Sequence, residues 1–253
     1  MKCILRMLWS HWMAATVVVA FAGRAPAATT TGSAAEGSPA TSARASLVVT
    51  EGTAVRLRAA DGATLGGHLY GAGEVGVILA HQYNGDQTGW TDFALVLAAH
   101  GYQALTFDFR GFPESGPIVH VPDAPVDLMA AYDFMQPRVK RLFIVGASMG
   151  SDAAIMLAAQ HRVCGLILLS TPVEFGGLNV YDADAQVKAP MLFIETAGDP
   201  FVAGQSEMLF KHAVAPKSLK IYSGSEHGAE ILAGAHGVEL RNLMLQFIAE
   251  HSQ

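Results

Sequence analysis

A serine between two glycines is the first feature of this 253-residue chain that could do chemistry. Residues 146–150 read Gly-Ala-Ser-Met-Gly and follow the apolar segment 141–145. The glycines would let the chain turn sharply, so that the hydroxyl of Ser148 projects from a strand end at the start of a helix. Oriented N–H groups at that helix start could stabilise a developing oxyanion. The pattern alone is weak, because it also suits an ordinary turn with a capping serine.

An acid and a base follow Ser148 in the chain order that the activation of such a serine uses. Asp199 lies just beyond the apolar segment 191–194, and His227 follows the last predicted strand. A histidine would accept the serine proton, and a carboxylate would orient the histidine and stabilise its charged form. Glu195 is a rival carboxylate, although it should lie too close to the end of its strand. We therefore predict Ser148 as nucleophile, Asp199 as acid and His227 as base.

The elements that must position these residues are short apolar strands alternating with helices. An Asp61-Gly62 turn predicts an opening antiparallel hairpin. The remaining strands predict a mostly parallel sheet with helices on both faces, an α/β fold whose ligand site lies at the carboxyl ends of the strands. The predicted strands are 53–59, 64–70, 75–80, 102–107, 141–145, 165–169, 191–194 and 219–222. The predicted helices are 91–100, 123–135, 150–161 and 237–250.

Two further segments, together with the Ser148 turn and its partners, resemble the α/β-hydrolase superfamily over nearly all of residues 50–253. Residues 77–85 are similar to the family's strand and His-Gly oxyanion loop, with Gln82 where glycine is usual. Residues 107–116 are similar to its Asp-x-Arg-Gly-x-Gly-x-Ser segment. By this resemblance Ser148, Asp199 and His227 match the family's nucleophile, acid and base. The backbone N–H groups of Met149 and Tyr83 would form the oxyanion hole, with Gln82 as the alternative second donor.

The resemblance also implies a reaction class. A serine at this turn implies acyl transfer, in which a carboxylic ester or thioester is cleaved through an acyl-enzyme on Ser148. This chemistry needs no cofactor and no metal. A peptidase or amidase of the same fold is the alternative enzyme, and a non-catalytic binding protein that retains the fold is the alternative of a different class. We expect Asp108, Arg110 and His81 to shape the site rather than to react.

The connection 171–190 constrains the substrate, because twenty residues leave no room for a large helical lid. An open site would suit a small ester or one attached to a polymer. Aromatic and amide side chains near the predicted strand ends could line the substrate pocket. The pocket candidates are Gln82, Phe112, Phe175 and Tyr181, with Tyr83 and Trp90 as further possibilities.

The net charge and the N-terminal sequence indicate which class of partner and which cellular compartment to expect. A net charge of −6 without a Lys/Arg cluster argues against a nucleic-acid partner. Residues 1–27 resemble a secretory signal, with Lys2 and Arg6 before a short apolar run and Ala25-Pro26-Ala27 at its end. We expect an exported protein, periplasmic or secreted, without stable membrane insertion after cleavage; retention as an N-terminal anchor is the alternative. Residues 28–46 have a linker composition and are predicted to be disordered, and residues 47–253 form the predicted hydrolase domain.

Overall fold

The structure is a computed structural model that describes residues 51–253. The predicted export signal (residues 1–27) and linker (residues 28–46) lie outside the described residues and stay predictions. Residues 47–50, the first four of the predicted domain, also lie outside them.

Strands and helices alternate along the described part of the chain, as the hydrophobic pattern predicts. The strands are β1 (Thr53–Arg58), β2 (Thr64–Tyr70), β3 (Val75–Ala80), β4 (Gln103–Phe107), β5 (Arg141–Ala147), β6 (Gly165–Leu169), β7 (Glu174–Phe175), β8 (Leu178–Asn179), β9 (Met191–Thr196) and β10 (Lys217–Tyr222). The α-helices are α1 (Thr91–Ala99), α2 (Ala124–Met135), α3 (Met149–Ala158), α4 (Tyr181–Asp184), α5 (Gln205–His212) and α6 (Gly237–His251). Short 3-10 helices occupy Gln87–Trp90, Val121–Asp123, Gln136–Arg138 and Gly228–Leu232.

Eight of these strands form one sheet in the order β1-β2-β4-β3-β5-β6-β9-β10. Every neighbouring pair from β4 to β10 is parallel, whereas β2 runs antiparallel to both β1 and β4. This confirms the predicted α/β fold with a mostly parallel sheet and an N-terminal antiparallel hairpin. Because all parallel strands point the same way, the loops that follow β3, β5, β6, β9 and β10 meet at one edge of the sheet.

The central strands are apolar throughout because helices cover the sheet on both faces. Alternate residues of β3 show this directly, since Val77 belongs to the core cluster on one face and Ile78 to the cluster on the other. Val145 and Ile144 of β5 divide between the two clusters in the same way. A strand buried on both faces has no solvated face for polar residues. Polar chemistry is therefore confined to the ends of these strands.

Two short strands and two short α-helices beyond β6 were not predicted from the sequence, namely β7, β8, α4 and α5. Helix α5 follows Gly204 and buries only Ser206 and Leu209, so it lacks the apolar stripe that marks a longer helix. The segment 171–190 holds the β7–β8 hairpin and the single turn of α4, so this part of the described chain carries no large lid. The longest helix within residues 51–253 is α6, and no helix there combines the length and apolar composition that a membrane span requires.

One carboxyl group lies inside the fold without a partner. Asp152 on α3 is fully buried, and within the described residues neither of its carboxyl oxygens has a hydrogen-bond partner. Burial raises the pKa of Asp152 well above its ordinary value, because an isolated carboxylate is poorly solvated there. The group therefore favours its protonated form in the folded protein.

Replacing this group should remove a pH-dependent penalty on folding. An unfolded carboxyl ionises near pH 4, whereas the folded one keeps its proton, so folding is disfavoured increasingly as pH rises above about 4. Asp152→Asn should therefore raise the free energy of unfolding at pH 7 by more than at pH 4, measured by urea denaturation. Asp133→Asn, at an exposed position of α2, is the control. An equal effect of Asp152→Asn at both pH values would contradict this prediction.

Candidate active site

The turn between β5 and α3 holds Ser148 in a backbone conformation that non-glycine residues rarely adopt. Its φ is 48° and its ψ is −116°. Both flanking glycines are needed for this turn: a Cβ on Gly146 would lie 2.5 Å from the carbonyl oxygen of Gly150, and a Cβ on Gly150 would meet the backbone of Ala80. Strain of this kind persists only where the surrounding structure enforces it, and it is common at functional sites.

Asp199 and His227 meet at the same edge of the sheet. Asp199 lies in the loop after β9 and His227 in the loop after β10, and His227 Nδ1 is 2.8 Å from Asp199 Oδ2. Both side chains are buried. With Nδ1 bonded to the carboxylate, Nε2 of the imidazole is left to accept a proton. The pair can therefore supply a general base that is oriented by an anion.

The surroundings of Asp199 favour its ionised form. Burial alone would raise the pKa of Asp199, but hydrogen bonds from His227, from the Phe201 N–H and from the Ser170 hydroxyl lower it below its ordinary value. The Phe201 N–H lies 2.9 Å from Asp199 Oδ1. Asp199 consequently stays negative at neutral pH, as the stabilisation of a charged imidazole requires.

The rival carboxylate, Glu195, faces another part of the chain. It is the fifth residue of β9 and is buried. Burial raises the pKa of Glu195, against hydrogen bonds from Ser206 and the Gly204 N–H that lower it. Glu195 thus lies near the start of α5, whereas Asp199 bonds His227.

A cavity of about 230 Å³ brings Ser148 and His227 together. Within the described residues no hydrogen bond joins the Ser148 hydroxyl to the His227 ring, although both line this cavity. The remaining walls are mostly apolar. They are formed by Tyr83, Asn84, Pro172, Glu174, Phe175, Phe201, Val202 and Gln205.

The predicted pocket residues divide between the cavity and its surroundings. Phe175 and Tyr83 line it, with ring centroids 5.4 Å apart. Phe112 lies outside the lining and packs edge-on against Tyr83. Tyr181 also lies outside, where it stacks on His212 with ring centroids 3.9 Å apart. Gln82 is buried and does not line this cavity.

The two predicted oxyanion donors are available. The Met149 N–H is the first of α3, and the Tyr83 N–H lies in the loop after β3. Within residues 51–253 neither N–H donates to another protein group. The positive end of the α3 dipole adds to the attraction for an anion at Met149.

The charged side chains of Arg110 and Asp108 are engaged in hydrogen bonds and ion pairs. Arg110 donates two hydrogen bonds to Asp127 Oδ1, from Nε at 3.0 Å and from Nη2 at 2.6 Å, and its Nη1 pairs with Asp61 and Asp123. Asp108 accepts hydrogen bonds from the backbone N–H groups of Gln87 and Glu114. Neither side chain lines the cavity that holds Ser148.

Sequence reasoning missed two residues that surround the Asp199–His227 pair. Phe201 packs edge-on against the His227 ring, with centroids 5.1 Å apart, and is 66% exposed. Ser170, directly after β6, has a φ of 49°, and its hydroxyl accepts the Gly228 N–H at 2.8 Å. The position of Ser170 at a predicted strand end was the sequence feature that could have indicated this role. A single serine at a strand end occurs for many other reasons, so the feature was not sufficient.

Comparison with known protein sequences finds a partial family match and a distant relative. The family model described as "Serine aminopeptidase, S33" matches residues 74–177. An uncharacterised protein of Mycobacterium tuberculosis is 27% identical over 218 residues, covering 75% of this chain and 78% of that protein.

Solved structures of the same fold include several hydrolases. An esterase of Pyrococcus furiosus superposes with a TM-score of 0.72 at 19% identity, covering 80% of this chain and 91% of the esterase. A monoacylglycerol lipase of Paleococcus ferrophilus has a TM-score of 0.65 at 17% identity, with coverages of 74% and 99%. A bromoperoxidase of Bacillus anthracis has a TM-score of 0.67 at 13% identity, with coverages of 78% and 100%. At these identities the likeness is one of fold.

The strain at Ser148 predicts a difference between two substitutions that both remove the hydroxyl. Glycine adopts positive φ without steric cost, whereas alanine keeps the Cβ and the strain. Ser148→Gly should therefore exceed Ser148→Ala in free energy of unfolding by about 1 kcal/mol, measured by chemical denaturation. Equal stability of the two variants would mean that the turn is unstrained.

Proposed function

We propose that this chain is a serine hydrolase of the α/β-hydrolase superfamily that cleaves carboxylic esters or thioesters. The observation that carries the proposal is the Asp199–His227 hydrogen bond at a cavity that also holds the strained Ser148. A nucleophile, a base and an orienting anion at one cavity are the groups that acyl transfer needs.

In the proposed reaction His227 Nε2 accepts the hydroxyl proton of Ser148 while the serine oxygen attacks the carbonyl carbon of the ester. The carbonyl oxygen becomes an oxyanion, which the N–H groups of Met149 and Tyr83 stabilise. The bond from carbon to the leaving oxygen or sulfur then breaks, and His227 returns the proton to the leaving group. Water, deprotonated by His227, attacks the acyl-enzyme and releases the acid and Ser148.

The cavity supports a small substrate. Its volume of about 230 Å³ lies below the roughly 300–1,000 Å³ that is usual for sites enclosing drug-sized ligands. Its apolar walls, which include Phe175 and Val202, suit a short acyl chain. A small ester, or a short acyl group carried on a larger polymer outside the cavity, fits this arrangement.

A peptidase of the same fold is the second candidate, because the matching family model is described as a serine aminopeptidase. Glu174 lines the cavity and could pair with the ammonium group of a peptide. A rate on an aminoacyl p-nitroanilide that exceeds the rate on p-nitrophenyl butyrate would favour this candidate over the esterase.

Ser148 should carry the reaction. A fluorophosphonate should add one covalent label at Ser148, located by peptide mass spectrometry, since only an activated serine attacks phosphorus readily. Ser148→Ala should abolish the label and lower ester turnover by roughly 10³-fold or more. Ser218→Ala, at an exposed position of β10, is the matched control and should retain both. An unlabelled wild-type protein, or unchanged turnover in Ser148→Ala, would refute the proposal.

The size of the cavity predicts the chain-length preference. Each methylene that enters the cavity adds up to about 0.8 kcal/mol of transition-state binding, and further methylenes add little once the cavity is full. Measured on p-nitrophenyl esters, kcat/KM should peak at short chains. Phe175→Ala should move the peak to longer chains, whereas Phe134→Ala, on α2, should leave it in place. A wild-type peak at long chains would contradict the small-substrate proposal.

A further inference from the structure

Gln82 lies between two parts of the site. It is the second residue after β3, next to the proposed oxyanion donor Tyr83, and is 4% exposed. Its side chain does not line the cavity that holds Ser148; it lines a second cavity of about 360 Å³. The side chain crosses instead to the loop that carries His227.

Both ends of the Gln82 amide are bonded to that loop. Its Nε2 donates to the His227 carbonyl at 3.3 Å, and its Oε1 accepts the Ala229 N–H at 2.8 Å. The partners fix the orientation of the amide, because a carbonyl only accepts and a backbone N–H only donates. Ser170 accepts the N–H of Gly228 between them. Three consecutive residues of the loop are thus bonded to neighbouring strand ends.

Gly228 makes this approach possible. Its φ is +59°, and a Cβ at this position would collide with Gln82 Oε1. The same Cβ would lie 3.2 Å from the Cβ of Ala147, next to the serine turn. The loop therefore packs closely against both Gln82 and the Ser148 turn.

The backbone of Gln82 is fixed as well. His81 Nε2 accepts the Phe109 N–H at 3.1 Å, so the ring proton is on Nδ1 and is donated to the Gln82 carbonyl at 2.8 Å. In a trans peptide the carbonyl and the following N–H point in opposite directions. Holding the Gln82 carbonyl therefore also sets the direction of the Tyr83 N–H.

We propose that Gln82 is a positioning residue whose amide holds the His227 loop at a fixed distance from the oxyanion loop. This inference rests on the proposed function, since it assigns His227 as base and Tyr83 as oxyanion donor. It differs from both roles that the sequence suggested for Gln82, a substrate contact and an oxyanion donor. The Gln82 side chain would thereby keep the imidazole of His227 in a fixed position relative to the Tyr83 N–H.

Gln82→Met tests the proposal, because methionine is of similar length but cannot form the two hydrogen bonds. The turnover number should fall about 10- to 100-fold, the usual cost of a misplaced catalytic group, while KM changes less than about twofold. Gln87→Met is the matched control: Gln87 is also buried, but its side-chain oxygen bonds His68 and Thr106. This variant should lose stability and keep its turnover number.

A second measurement separates positioning from an oxyanion role. The His227 Nδ1 proton, bonded to Asp199, should give a downfield proton resonance in the free protein, assigned by its absence in His227→Ala. Gln82→Met should broaden this resonance, because a released loop exposes the proton to exchange with water, and Gln87→Met should preserve it. If Gln82→Met does not fold, Gln82→Leu carries the same test.

The outcomes are distinct. A fall in turnover with an unchanged resonance would overturn positioning in favour of an oxyanion role, and wild-type turnover in Gln82→Met would overturn any role. A large rise in KM would identify a substrate contact instead. If the wild-type protein cleaves no ester, the proposed function fails, while the resonance still decides whether Gln82 holds the His227 loop.

Discussion

The close contact between the start of α3 and the end of β3 is the constraint on which the rest of the site depends. Gly150 lies so near the carbonyl of Ala80 that no side chain fits between them. This contact brings the Met149 N–H, at the start of the helix, beside the loop that carries Tyr83. It also forces the sharp turn that leaves Ser148 at a φ of 48°. Backbone crowding thus determines where the hydroxyl and the N–H donors lie.

The buried carboxyl groups differ in pKa because their hydrogen-bond partners differ. Asp199 is bonded by an imidazole, a backbone N–H and a hydroxyl, so its pKa is lowered despite burial. Asp152 lacks such partners within the described residues, so burial alone raises its pKa. Two aspartates within one domain therefore favour opposite protonation states. Only the ionised one can stabilise a positive charge on His227.

Much of the fold could be predicted from the sequence, because strands buried on both faces must be apolar and flanked by turn residues. Strands β2, β3 and β6 have the predicted bounds, and the parallel sheet follows from their alternation with helices. Helix α5 was missed because it buries too few residues to show a periodic stripe. The chain order of Ser148, Asp199 and His227 was equally readable, since each follows an apolar segment. The Asp199–His227 bond itself is a contact across 28 residues that no local pattern encodes.

The sequence by itself determined which residue types stand near the strand ends, because the apolar segments of the eight-stranded sheet locate the end of each strand to within two residues. The tertiary structure alone decided what those side chains reach. Phe175 lines the cavity and Tyr181 does not, although both lie in the same connection. Gln82 turns away from the cavity to bond a loop 145 residues further along the chain. These side-chain contacts depend on the distances between loops that meet only when the sheet is assembled. Local sequence patterns do not encode such distances.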